Sequence, residues 1–158
     1  MQLSLLSTNL LITIEELIQD KYLSKLLSVY TKTPIDSEDF DTNSLVNEYI
    51  FPHPYNEEVP DIQKVELRIF YPNGTFDSSN NIAISDLYFQ IVCHRNLSRI
   101  TINDNMKLRE LEIMDRIIQL FNGKTIKTLG TVHFKGYEYA HINKDYFVYT
   151  LVSEVMNL

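Results

Sequence analysis

The stretch that decides the fold is LYFQIVCH, residues 87–94. Its side chains alternate between two faces, with Leu87, Phe89, Ile91 and Cys93 on one and Tyr88, Gln90, Val92 and His94 on the other. This period of two predicts a β-strand that is buried on at least one face. The run at 64–71 has the same period, so we expect the two runs to pair as strands of one sheet.

The C-terminal third returns to strand patterns. Short runs at 131–134 and 136–139 precede a turn at 143–145, and a longer run spans 146–156. Both faces of this last run are partly apolar, which favours a central or interface strand. The connection at 72–86 is too long for a tight hairpin, so we expect an exposed flap with a stranded base.

The N-terminal segment, residues 1–32, is predicted to be helical because its apolar residues recur every three or four positions. Thr13 and Glu16 have the form of a capping box, and Thr8 or Asn9 is an equally good cap for an earlier start. Asp20 is a candidate cap for a separate short helix, which would divide this segment in two.

A second, central helix is predicted over residues 106–121, after a polar corner at 103–105. Its apolar residues form a stripe wide enough to cover a sheet, and Gly123 is the expected terminator. The charged residues of this helix are expected to form its solvated face: Lys107, Arg109, Glu110, Glu112, Asp115 and Arg116.

Residues 33–61 form an acidic, proline-containing segment between the helical start and the first strand. A connection of this length is expected either to reach a partner or to pack across the surface, with Ile50, Phe51 and Tyr55 as anchors. A helical turn is expected near 44–49. With residues 62–158 supplying strands and the central helix, the chain is predicted to be one α+β domain, residues 1–158: an antiparallel sheet packed by two helical segments.

Composition narrows the function. The chain has 158 residues, of which 44% are hydrophobic, and 14 Lys and Arg against 21 Asp and Glu give a net charge of −7. This excess of carboxylates opposes general binding to nucleic acid. The sequence contains neither the pattern of a secretory signal nor a membrane-spanning run, so we expect synthesis in the cytoplasm and no membrane partner.

No group of residues has the spacing of a catalytic or metal site. Cys93 is the single cysteine, and the four histidines lack close helical spacing: His53, His94, His133 and His141. The adjacent carboxylates at 15–16, 38–41 and 57–58 are expected to be solvated. We therefore expect no catalytic residues, no metal and no cofactor.

Tyrosines cluster in the C-terminal strands, at Tyr137, Tyr139, Tyr146 and Tyr149. Tyrosine is enriched at interfaces, where the ring is buried and the hydroxyl stays wet. It also has a high β-propensity, so an interface and an ordinary sheet surface both account for the cluster.

The order of elements resembles one known family. A capped N-terminal helix, the irregular segment IFPHP at 50–54, alternating strands at 64–71 and 86–94, the wide-faced helix at 106–121 and the closing strand at 146–156 are together similar to the tail terminator and tail-completion proteins of long-tailed phages. The resemblance covers most of the chain and consists of a topology, without catalytic motifs.

That resemblance implies a non-enzymatic virion protein of the phage tail or neck, which forms a hexameric ring and contacts tail-tube and connector proteins. DNA would pass nearby without specific binding. The candidate interface residues are Phe51, Tyr55, Phe76, Tyr137, Tyr139, Tyr146 and Tyr149. The alternative is a small soluble binding module or regulator of phage or bacterial origin, which binds a basic partner through its acidic segment, residues 33–61.

Overall fold

The computed structural model describes residues 2–55, 62–126 and 130–156. Its helices are α1 (Leu5–Gln19), α2 (Lys21–Ser28) and α3 (Arg109–Phe121). Its strands are β1 (Ile50–Phe51), β2 (Val65–Phe70), β3 (Gly74–Phe76), β4 (Ile82–His94), β5 (Arg99–Ile102), β6 (Asn105–Leu108), β7 (Thr125–Ile126), β8 (Gly130–His141) and β9 (Tyr146–Met156). Short 3₁₀ turns occupy Pro34–Asp36, Asn43–Leu45 and Arg95–Leu97.

The main sheet has the strand order β1-β2-β4-β9-β8-β7, with β3 paired to the start of β4. Its pairings are antiparallel except for the parallel contact of β1 with β2, and β5 and β6 form a separate hairpin. The stretch LYFQIVCH lies in β4, where Ile91 is paired with Leu67 on one side and Tyr149 on the other. The predicted α+β class is confirmed, as are the central position of the last strand and the stranded base of the flap.

The core lies between one face of this sheet and the helices. Phe89 of β4 is fully buried, and its ring centroid lies 5.8 Å from that of Phe121 in α3. Leu17 of α1 and Leu26 of α2 are also fully buried in the same cluster. The strand period and the helix period therefore direct their apolar residues into one shared core.

The N-terminal helix is divided at Asp20, as predicted. The Asp20 carboxylate accepts a hydrogen bond from the Leu23 amide at 2.8 Å and so caps α2. The predicted capping box is wrong, because α1 begins at Leu5 and the Thr13 hydroxyl donates to the carbonyl of Asn9 within the helix. A β-region residue at position 20 interrupts the helix even though the apolar spacing continues across it.

The central helix begins later than predicted. Residues 106–108 belong to β6, and α3 starts at Arg109. The corner at 103–105 is a hairpin turn, since Asn103 and Asp104 both have positive φ, at 49° and 63°. Two consecutive left-handed residues match the turn that closes a two-residue hairpin and are incompatible with a helical N-cap. The predicted terminator is confirmed: Gly123, with φ 70°, follows the last turn of α3.

Two charged residues of α3 are buried, which corrects the expectation that they are solvated. Arg109 is 1% exposed and Glu110 is 3% exposed. The Arg109 guanidinium donates to four carbonyl oxygens: Leu26, Val29, Thr31 and Leu97, at 2.6–3.2 Å. Its charge is thus stabilised by carbonyl dipoles at the end of α2. These hydrogen bonds join α2 to α3.

The acidic segment packs across the surface as far as it is described. Lys25 of α2 donates to the carbonyl of Ser37 at 2.7 Å and pairs with the Asp39 carboxylate at 2.9 Å. The Thr42 hydroxyl donates to the carbonyl of Ile18. Of the two expectations for this segment, packing is therefore the one observed for residues 33–55, while residues 56–61, with the Glu57–Glu58 pair, lie outside the described residues.

Candidate interaction surface at the open end of the sheet

At one end of the sheet, which carries residues 135–141 and which we call the open end, the β8–β9 pair extends beyond the helices. Residues 135–141 of β8 are all exposed, and in the described parts of the chain they pair only with β9. Tyr137 is 65% exposed and Tyr139 is 58% exposed. A strand with one unpaired edge and two exposed rings is a surface suited to a partner.

The rings at this end form a contiguous aromatic cluster. Tyr139 lies with its ring centroid 5.3 Å from that of Tyr149 and 6.1 Å from that of Phe147. Tyr137 lies 6.0 Å from Tyr149. Burial raises the pKa of the Tyr149 hydroxyl, with smaller contributions from Glu110 and the neighbouring tyrosines, so this group stays protonated and remains a donor at neutral pH.

A cavity of about 540 Å³ lies between this aromatic cluster and the β5–β6 hairpin. We call it the basic–aromatic groove, and its lining includes Lys32, Arg95, Arg99, Tyr139, Phe147 and Tyr149. Glu110 also lines it, but both of its carboxylate oxygens accept from the Ser98 hydroxyl, at 2.8 and 2.9 Å. The groove therefore combines three cations with an aromatic wall in a chain whose net charge is negative.

The opposite end of the sheet has a different surface. Phe76 of the flap is 58% exposed, and Ile84 and Met156, which are paired across β4 and β9, are 38% and 44% exposed. Leu3 at the start of the chain is 60% exposed. Ile84 and His94 are separated by ten residues of β4, so this apolar end lies about 33 Å from the groove end at about 3.3 Å per residue.

The structure brings together three of the predicted interface residues, Tyr137, Tyr139 and Tyr149, and places Phe76 at the other end of the sheet. Tyr146 requires a correction: it is 4% exposed, and its hydroxyl donates to the carbonyl of Ile62 at 2.6 Å, so it has almost no surface for a partner. The strand pattern made both faces of β9 candidates for an interface. Packing within the chain covers the face that carries Tyr146.

Phe51 and Tyr55 lie on the face of the sheet turned away from the helices, and both are half-buried. The Arg68 guanidinium lies 3.8 Å from the centroid of the Phe51 ring, and the Tyr55 amide donates to Gln90 Oε1 at 3.3 Å. These contacts fix the segment 50–55 against the sheet, as its predicted role of anchor requires.

Sequence reasoning missed the basic side of the groove. Lys32, Arg95 and Arg99 are dispersed along the chain, and no motif joins them. They converge because the end of the helical segment, the turn after β4 and strand β5 meet beside β8 and β9. The one available signal was Arg95 directly after a strand, at the edge where a sheet surface ends.

Three of the residues considered for chemistry, Cys93, His53 and His94, are held by contacts within the chain. Cys93 is fully buried, and burial raises the pKa of its thiol well above the usual range, so the thiol is protonated. His53 contacts Arg68, with Nδ1 3.1 Å from a guanidinium nitrogen, and His94 packs edge-on against Tyr146. Among residues 2–55, 62–126 and 130–156, no three His, Cys, Asp or Glu side chains form a possible metal site.

The class of protein is defined by this arrangement: an α+β domain with helices on one face of a mostly antiparallel sheet that has two unlike exposed ends. The family model YomW matches residues 20–155, and the chain belongs to the YomW family, which is associated with phages and Bacillus prophages. No curated protein matches the chain. In the part of the chain that is described, none of the helices has the length and apolar character needed to span a bilayer.

Proposed function

We propose that this protein is a non-enzymatic structural subunit of a phage particle, a tail terminator or head–tail joining protein that assembles into a ring. The family supports a phage origin. The observation that carries the proposal is the pair of unlike exposed surfaces at opposite ends of one continuous sheet, apolar at Phe76 and Ile84 and basic–aromatic at Arg95 and Tyr139.

Unlike surfaces favour head-to-tail contacts between subunits. A two-fold dimer uses the same patch on both subunits, whereas contacts between different patches generate a ring when the rotation closes. The apolar end, with its flap, supplies one half of such a contact. The exposed end of β8 and the groove beside it supply surface for the other half, or for the proteins above and below the ring.

Charge is consistent with a position beside DNA in the tail or neck. The net charge of −7 repels phosphates, so a lumen lined by this protein would let DNA pass without holding it. In this proposal the protein partners are tail-tube and connector subunits.

The first experiment measures the mass of the purified protein by native mass spectrometry and light scattering, with negative-stain electron microscopy of the same sample. We expect a closed oligomer, and a hexamer is the specific expectation. Phe76→Asp should reduce the oligomer to monomers, because it places a charge in the apolar contact. Asp77→Asn, at the adjacent exposed position, is the matched control and should leave the ring intact.

The second experiment asks where the protein resides. Quantitative mass spectrometry of purified phage particles, with antibody labelling in the electron microscope, should find it at the head-proximal end of the tail in a fixed small copy number. A monomer or dimer in free and particle-bound samples alike would refute the ring. Its absence from particles would refute the structural role itself.

A further inference from the structure

We propose that the basic–aromatic groove binds an extended acidic segment of another protein, whose carboxylates pair with Lys32, Arg95 and Arg99 while an aromatic or aliphatic side chain packs on Tyr139 and Phe147. This binding site goes beyond the proposed function and does not require a ring, because all the residues that form it belong to one chain.

Three cations of the groove have no carboxylate partner in the described parts of the chain. Within residues 2–55, 62–126 and 130–156, the ion pairs use Lys25, Lys64, Arg68, Lys107, Arg116 and Lys135. Lys32 instead donates to the carbonyl of Arg99 at 3.4 Å, and Arg95 donates to the carbonyl of Lys144 at 3.2 Å. Three exposed cations that converge on one groove therefore retain their charge for a partner.

The carboxylate that lines the groove, that of Glu110, forms no ion pair with these cations within the described residues. Glu110 is 3% exposed, and both of its oxygens are bonded to the Ser98 hydroxyl. Its position fixes the turn that carries Arg95 and the start of β5 that carries Arg99. A bound carboxylate would thus meet guanidinium groups held on a defined backbone, which favours bidentate recognition.

The groove continues into a second cavity of about 330 Å³, which shares Arg95, Tyr139 and Phe147 and adds Lys144 and His141. The joined length suits an extended chain better than a compact ligand. The unpaired edge of β8 runs beside it, and the backbone of an extended peptide can add to such an edge while its side chains enter the groove.

The same features favour a peptide over nucleic acid. Single strands are held by basic grooves with aromatic platforms, but they carry a charge at every nucleotide and would approach a chain with a net charge of −7. The half-buried Asp145 also lines the second cavity beside Lys144. A short acidic peptide places fewer charges, at the groove alone, and its backbone matches the strand edge.

The experiment uses the full chain and a fluorescein-labelled octapeptide of six glutamates and two phenylalanines, with fluorescence anisotropy at low and at physiological salt. Control probes are the same peptide with glutamine for glutamate, and oligothymidylate of equal charge. We expect the acidic peptide to bind most tightly and to weaken as salt rises. The double variant R95A/R99A should weaken binding about tenfold, because two exposed ion pairs are lost.

Matched variants test whether the peptide binds in the groove or on the neighbouring surface. Tyr139→Ala should weaken peptide binding several-fold, whereas Tyr137→Ala, on the same strand and similarly exposed but outside the groove, should not. Lys135→Ala, which removes a cation paired with Glu154 elsewhere on β8, should also leave binding unchanged. Thermal unfolding of each variant confirms that it is folded.

The proposal is overturned if the glutamine peptide binds equally well, if R95A/R99A has no effect, or if oligothymidylate binds more tightly than the acidic peptide. It is overturned in favour of a second copy of this chain if the peptide fails to bind and R95A/R99A lowers the oligomeric mass. Because peptide binding is measured on any oligomer, including monomers, a failed ring and a failed groove give different results.

Discussion

Pairs of aromatic rings line the sheet both under the helices and at its open end. The two regions differ in what covers these rings. Phe89, under α3, is fully buried with its ring 5.8 Å from that of Phe121. Tyr139, beyond α3, packs 5.3 Å from Tyr149 and is still 58% exposed. Aromatic pairing alone therefore does not distinguish a core from a binding surface, because the covering element decides which one forms.

The largest difference in stability between the two regions is expected when one aromatic ring is removed from each. Phe89→Ala should lower the free energy of unfolding by about 3–5 kcal/mol, since it leaves a cavity in a covered core. Tyr139→Ala should lower it by less than about 1 kcal/mol, since water already reaches that ring. Urea unfolding followed by circular dichroism measures both. Equal losses would show that the open end is part of the stabilising core.

The arginines of the two regions differ in the same way. Arg109→Met should cost at least about 3 kcal/mol, because two buried and two partly buried carbonyls lose a charged donor. Arg99→Ala should change stability by less than about 0.5 kcal/mol, because its guanidinium is exposed. Denaturant midpoints of the two variants provide the measurement. A small loss for Arg109→Met would mean that water satisfies the carbonyls instead.

A smaller loss of stability is expected at the contact between α2 and α3. Asp20→Ala should cost about 1–2 kcal/mol, because the carboxylate both caps α2 and bonds to the Arg116 side chain of α3. Asp20→Asn should recover most of this loss, since asparagine caps helices well and loses only the ion pair. If the two variants are equally destabilised, the ion pair and not the cap is the main contribution.

The smallest effect concerns the acidic segment. The hydrogen bond and charge of Lys25 lower the pKa of Asp39 below its ordinary value of 3.8. A lowered folded pKa means that the contribution is present above the unfolded value and disappears as pH falls through the lowered value. The melting temperature of Asp39→Asn should therefore lie slightly below that of the wild type at pH 7 and converge with it in acid, once Asp39 is protonated in the folded state. A gap that widens in acid would contradict this assignment.

Much of the fold was predictable because its signals are local. The alternation in 87–94 and 146–156 and the cap at Asp20 each depend on a few neighbouring residues, and the structure has strands and a helix boundary there. The error at 106–108 is local too: Met106 and Leu108 fit the end of a helix and a strand equally well. The left-handed Asn103 and Asp104 decide for the strand.

The candidate site was predictable only in its aromatic half. The tyrosine cluster is visible because its members lie within two neighbouring strands, whereas Lys32, Arg95 and Arg99 come together only when three separate segments meet. Tyr146 shows the converse: its spacing matches that of an interface strand, but the carbonyl of Ile62, which is 84 residues away, holds it inside the chain.

The order of residues alone determined the long strands, the division of the N-terminal helix and the α+β class, because periodicity and capping are properties of the local backbone. Tertiary structure decided which charges are buried and which surfaces remain open. Arg109 and Arg99 are both arginines beside an apolar run, and only the carbonyls that converge on Arg109 make burial favourable for it. Burial is a sum over distant contacts, and no local pattern contains that sum.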